Sequence, residues 1–261
     1  MPELVEVERY RILAEGVLGR PIASVSSPDP WFLKGVATAE LLEGFLVGNR
    51  FSAARRIGKL LMLDVERGPV VGIRFGMTGT LLVDGDSAVE QLLYTPTRME
   101  AAWERWSVGF AGGGRMVVHD PRRLGGISLD PDASALGPDA SSVGVAGLAA
   151  ALAGSSAPLK ARLLDQSRLA GVGNLIADEV LWRSGLSPLR PASSLSSPEV
   201  RRLHRNLIRT LADLNERGGS HLGDLMDERR PGGVCPKDGS PLTRSTVGGR
   251  TSWWCPAHQV G

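Results

Sequence analysis

Hydrophobic periodicity changes once along this 261-residue chain, and that change limits the folds open to it. From Ile22 to about Leu129 the apolar residues come in short, often alternating runs, such as 59–65 and 70–75. Glycine clusters such as Gly112, Gly113 and Gly114 separate the runs as hairpin turns would. Beyond Pro158 the spacing is helical, over 158–166, 175–184 and 197–217. In the last of these Val200, Leu203, Leu207, Ile208 and Leu211 recur against Arg201, Arg205 and Arg209. Residues 131–157, rich in Ala, Ser, Gly, Pro and Asp, form the junction, with a short helix around 145–152. Leu4, Val7, Tyr10, Arg11 and Ala14 predict a further helix at the start, ending near Gly16. The expected class is α+β: an N-terminal helix with a β-sandwich or barrel, a helical domain, and a short C-terminal hairpin. The expected boundaries are 1–133, 134–228 and 229–261.

Composition narrows the class further. The chain is 42% hydrophobic and 22% charged, long enough to bury a real core. No uncharged apolar run reaches the roughly 18 residues of a membrane span, and the Met-Pro-Glu start lacks a secretory pattern. A cytoplasmic monomer without membrane contact is expected. A net charge of +2 does not by itself indicate nucleic-acid binding, but only Lys34, Lys59, Lys160 and Lys237 among thirty basic residues are lysines. Cys235 and Cys255 could form a disulfide, although a cytosolic setting disfavours one.

Four stretches carry residues suited to chemistry. If Met1 is removed, Pro2 presents a secondary amine, and an α-amino group titrating near pH 8 is about one tenth free base at neutrality. Glu3 could then shuttle protons. The bland alternative is a helix first turn with acidic dipole partners. Second, Arg122, Arg123 and Leu124 follow His119-Asp120-Pro121, where paired arginines could grip phosphate and an apolar side chain could fill a gap in a base stack. A solvated turn is the alternative. Third, Gly171-Val172-Gly173-Asn174 joins two helices, and the exposed amides of a helix start together with Asn174 suit phosphate. Fourth, Cys235 and Asp238, then Cys255 and His258, are ligand pairs of zinc-ribbon spacing, sixteen residues apart. One structural zinc is expected there, the alternative being a metal-free hairpin packed on Trp253, Trp254 and Leu242.

Taken in order, these stretches resemble the formamidopyrimidine-DNA glycosylase and endonuclease VIII family over nearly the whole chain. The start is similar to the family's Pro-Glu-Leu-Pro-Glu-Val-Glu, with Val5 at the second proline. Arg55 to Lys59 resembles the segment bearing its β-domain lysine, and Gly76-Met77-Thr78-Gly79 its stack-filling loop. Asp120 to Gly125 resembles its Asp-Pro-Arg-Arg-Phe-Gly loop, 166–179 its helix-two-turns-helix motif, and Gly249-Arg250-Thr251 with Cys255 its zinc hairpin. The resemblance implies a DNA glycosylase with abasic-site lyase activity on damaged duplex DNA. It implies that Pro2 attacks the sugar C1′ and that β- then δ-elimination follows, with Glu3 moving protons and Lys59 assisting elimination. Met77, Arg122 and Leu124 would fill the space of the flipped nucleotide, and Arg123, Lys160, Asn174 and Arg250 would hold phosphates.

Departures bear on the substrate. Leu124 stands where the family has phenylalanine, and Arg74 where histidine is common. Only fifteen residues, 220–234, separate Gly219 from Cys235, too few for the loop that covers a flipped oxidised purine. Efficient 8-oxoguanine excision is therefore not expected. Two competing classes are a non-catalytic DNA-structure binder and a zinc-ribbon interaction protein. Pro2, Glu3 and Lys59 favour the enzyme over the first, and the second leaves Pro2 and the Gly171-to-Asn174 turn unexplained.

Overall fold

The computed structural model describes residues 1–93, 95, 96, 98 and 100–260. It divides into two compact units, Met1–Ala133 and Ser134–Gly261.

The first unit is a β-sandwich with a helix across it. Helix α1 (Leu4–Glu15) is fixed at its start by a reciprocal cap, in which Glu6 accepts the Glu3 N–H at 2.8 Å and Glu3 accepts a first-turn N–H. One face of α1 inserts Val7, Tyr10 and Ala14 into the core, which explains their helical spacing. Strands β1 (Ile22–Ser26), β5 (Thr80–Val83), β6 (Asp86–Ser87), β7 (Glu104–Phe110) and β8 (Arg115–His119) form one antiparallel sheet in the order β1-β7-β8-β5-β6. Strands β2 (Phe51–Ile57), β3 (Leu60–Val65), β4 (Val70–Arg74) and β9 (Gly126–Leu129) form the other, in the order β2-β3-β4-β9. Phe51, Leu61, Leu63, Ile73, Trp106, Val108 and Val118 fill the space between the sheets. Each such buried side chain contributes about 1.5–3 kcal/mol.

The strand-only expectation for 22–129 misses helix α2 (Ala39–Leu46). Thr38 caps it by accepting the Leu41 N–H at 3.2 Å, and Leu42 and Leu46, one turn apart, are its buried residues. That signal was present in the sequence but lay inside a stretch read as sheet.

The second unit holds α3 (Val145–Leu152), α4 (Leu159–Leu164), α5 (Asn174–Ser184), α6 (Ser197–Arg217) and the hairpin of β10 (Thr243–Val247) with β11 (Arg250–Trp254). α6 opens on a Ser196–Glu199 capping box and ends at Gly218, whose φ of +108° needs glycine. Beneath the hairpin Trp182, Leu225, Cys235 and Cys255 pack together, with Leu242 against them. The aromatic in that cluster is Trp182 of α5, where the sequence pointed to Trp253 and Trp254. Asp178, also on α5, is buried and accepts from Lys160 at 2.8 Å, Arg229 at 2.6 Å and Ser252 at 2.7 Å, so α5 is tied to α4, to the loop before the hairpin and to β11.

Candidate active site and metal centre

At the start of the first unit Pro2, Glu3 and Glu6 are buried. Burial pushes the Met1 amine below the ordinary α-amino value; nearby Glu6 and Glu3 draw it back up, while Lys59 pushes it further down. The N-terminal amine therefore senses two carboxylates and one ammonium. Lys59 reaches this position from the β2–β3 turn, where Gly58 takes a left-handed φ of +56°. Arg56 shapes that turn by donating to the Gly58 carbonyl at 2.9 Å and to Glu8 of α1 at 2.8 Å. Neither Glu6 nor Arg56 was singled out from sequence, although Glu6 sits at the spacing of a capping box.

A second group forms where the loops after β4 and β8 meet. Gly76 lies so close to the other loop that a Cβ there would fall 2.4 Å from the Leu124 carbonyl carbon, and its φ is +58°. Buried Asp120 knots the two loops, accepting from Thr78 Oγ1 at 2.5 Å and from the Gly125 N–H at 2.8 Å. Met77 in the first of these loops is half-buried, and Leu124 in the second is 52% exposed. Arg122 is exposed, with no ion pair among the described residues. Arg123 is exposed but already paired: its Nε and Nη2 each bond Asp29 at 2.7 Å, which holds that carboxyl below its ordinary range. Arg74 lines the same groove of about 420 Å³ as Leu124 and Lys34, and burial lowers its pKa.

In the second unit Gln166 organises the turn between helices, donating to the Leu164 and Val172 carbonyls at 2.9 Å and accepting the Gly171 N–H at 3.0 Å. Asn174 begins α5, and its Oδ1 is buried without a hydrogen-bond partner. Arg250 is exposed beside the Gly248-Gly249 turn, without an ion pair among the described residues. Lys160 corrects the sequence reading. It is 0% exposed and pairs with Asp178 while donating to the Thr251 carbonyl at 2.9 Å, so its ammonium faces the interior and not a phosphate. Scarcity of lysine marked the residue as special without showing which way it points.

Cys235, Asp238, Cys255 and His258 converge, their ligand atoms all within 4.8 Å of one another. His258 Nδ1 lies 3.3 Å from Cys235 Sγ and 3.5 Å from Asp238 Oδ2. These separations suit a tetrahedral ion bound at about 2.0–2.3 Å. His258 Nε2 bonds the Trp182 carbonyl at 3.0 Å, which makes Nε2 the donor and leaves the Nδ1 lone pair facing the cluster. The Ser240 N–H holds Asp238 ionised, at about 2. Burial pushes the Cys255 thiol up, so binding a cation there would release its proton. The donor set fits a divalent metal.

A half-buried N-terminal amine near two carboxylates and a lysine, and a helical unit ending in a hairpin whose cysteines, aspartate and histidine could hold a metal, make a class of protein familiar from strand-cleaving DNA repair. The model of the formamidopyrimidine-DNA glycosylase N-terminal domain matches residues 1–127, and that of the H2TH domain of the same enzyme matches 135–224. The formamidopyrimidine-DNA glycosylase of Thermus thermophilus is 37% identical over 99% of this chain and 98% of its own length. That of Chloroflexus aggregans is 30% identical, over 100% and 99%. The crystal structure of the MutM (Fpg) protein from Thermus thermophilus superposes with a TM-score of 0.80 at 33% identity, covering 99% of this chain and 98% of that one. Lactococcus lactis Fpg in complex with an abasic-site DNA shares the fold, with a TM-score of 0.83 at 24% identity over 99% of both chains. The chain belongs to the formamidopyrimidine-DNA glycosylase family, and it is a DNA glycosylase of base-excision repair.

Proposed function

We propose that the chain removes damaged bases from duplex DNA through Pro2, freed by loss of Met1. The observation that carries this reading is the burial of Pro2 together with Glu3 and Glu6 at the start of the chain, where the preceding Met1 amine senses Glu6, Glu3 and Lys59. Pro2 would attack C1′ and the base would leave as the C1′–N bond breaks, with Glu3 moving the proton. The resulting iminium makes the C2′ proton acidic, so β- and then δ-elimination can follow, with Lys59 assisting. Met77, Arg122 and Leu124 would occupy the space of the flipped nucleotide, while Asn174 and Arg250 would hold phosphates. Zinc held by Cys235, Asp238, Cys255 and His258 would cross-link the hairpin base, a structural and not a catalytic duty.

The test is borohydride trapping on abasic DNA. The processed protein should be trapped covalently, and Pro2→Gly or retention of Met1 should abolish or severely weaken trapping. Undiminished trapping of both variants would remove Pro2 from the mechanism.

For the lesion, 8-oxoguanine opposite cytosine should be excised slowly. The stretch 220–234 is occupied by two short turns, and Glu179 accepts the N–H groups of Asp224 and Leu225 at 3.1 and 3.0 Å. Glu228 binds the Val234 N–H at 2.8 Å and Arg229 is held by Asp178, so little chain remains to cover a flipped purine. Single-turnover excision on duplexes differing only in the lesion decides this. If 8-oxoguanine were the fastest substrate, the cover argument would be wrong.

A further inference from the structure

Helix α3 breaks the rule that a surface helix shows water a polar face. Its eight residues include no polar side chain, yet Val145, Ala146, Ala149 and Ala150 are exposed. Along it runs a groove of about 480 Å³, with Val145 and Ala149 on one wall and Leu195, Val200 and Arg201 on the other. Arg201, Arg205 and Arg209 continue from that rim at one-turn spacing along α6, with Arg202 beside them. All four are exposed, and none makes an ion pair among the described residues. Three other arginines of this unit are neutralised: Arg183 by three carboxylates, Arg217 by two, and Arg190 by Glu199. Glu199 is therefore already engaged and does not offset the arginine row.

We propose that this face docks an acidic segment of a partner protein, with apolar side chains in the α3–α6 groove and carboxylates on the arginine row. An apolar wall has no use for a phosphodiester backbone, which calls for polar donors that α3 lacks. A second copy meeting this face symmetrically would set one arginine row against the other.

The test is fluorescence anisotropy of the full-length protein with a labelled dodecapeptide alternating aspartate with leucine and phenylalanine. A matched peptide with serine for each apolar residue is the control. The first peptide should bind and the second should bind at least about tenfold more weakly. Arg201→Glu with Arg205→Glu, and separately Ala149→Trp, which fills the groove from an exposed position, should each cost about tenfold with abasic-site cleavage unchanged. Equal binding of both peptides would reduce the effect to bulk charge and overturn the proposal. So would displacement of the peptide by undamaged duplex DNA that itself loses affinity in the arginine variant. A dimer in light scattering that either variant dissociates would assign the face to self-association instead.

Discussion

Replacing Asp178 should damage the second unit more than any other single polar change. The carboxylate is 2% exposed as a residue and faces two cations, Lys160 at 2.8 Å and Arg229 at 2.6 Å, while accepting also from Ser252 at 2.7 Å. Asp178→Ala takes from the fully buried Lys160 ammonium the carboxylate 2.8 Å away, while the Thr251 carbonyl still accepts from it. Breaking a buried pair by removing one partner typically costs about 3–5 kcal/mol. Lys160→Met is the instructive contrast. It removes the ammonium together with its desolvation cost, and Asp178 keeps Arg229 and Ser252, so the loss should be nearer about 1 kcal/mol. The double variant should then be less damaged than the sum of the two, a coupling of about 0.5–3 kcal/mol. Because the chain has two units, a single unfolding midpoint would blur the effect. Native-state hydrogen exchange of the β10 and β11 amides reports on this unit alone, and their protection should fall steeply in Asp178→Ala. DNA affinity should fall with it, since Thr251 adjoins Arg250. If Asp178→Ala cost less than about 1 kcal/mol, or no more than Lys160→Met, the buried-charge reasoning would be refuted.

Arg250→Ala should weaken DNA binding across sequences and lesions alike and shallow the slope of log affinity against log salt by about one unit, readable by anisotropy titration at several salt concentrations. Elemental analysis of never-chelated protein should find one zinc per chain, lost in Cys235→Ser; metal-free protein with full DNA affinity would favour a hairpin that needs no ion. Glu199 is depressed from 4.5 to about 2, chiefly by its bonds to Arg190 and then by Ser196. Being lowered on folding, it stabilises fully above its unfolded pKa and loses that contribution as pH falls towards about 2. The stability gap between the parent and Glu199→Gln should therefore close between pH 4.5 and about 2 in urea titrations, and a pH-independent gap would contradict it.

What was legible in the sequence, and what was not, divides along a physical line. Helices α1, α5 and α6 were readable because burial of one face imposes a period, and a period survives in the order of residues. The four metal-ligand candidates were readable for a similar reason, since ligands two residues apart on a turn leave a fixed spacing. Helix α2 escaped because eight residues give barely two turns of pattern, and Leu41, Phe45 and Val47 are apolar yet exposed, which blurs the face. The roles of charged residues were least legible. Arg123 and Lys160 each looked like a phosphate ligand, yet Lys160 is buried against Asp178 and Arg123, though exposed, is paired with Asp29. Asp29 lies 94 residues before Arg123, so no local pattern could have joined them. A cation's direction is set by where its counter-charge sits in space, and folding alone brings Asp29 to the Arg123 loop. Among the motif arginines, the same reasoning leaves Arg122 and Arg250 available to a polyanion: both are exposed and neither makes an ion pair among the described residues.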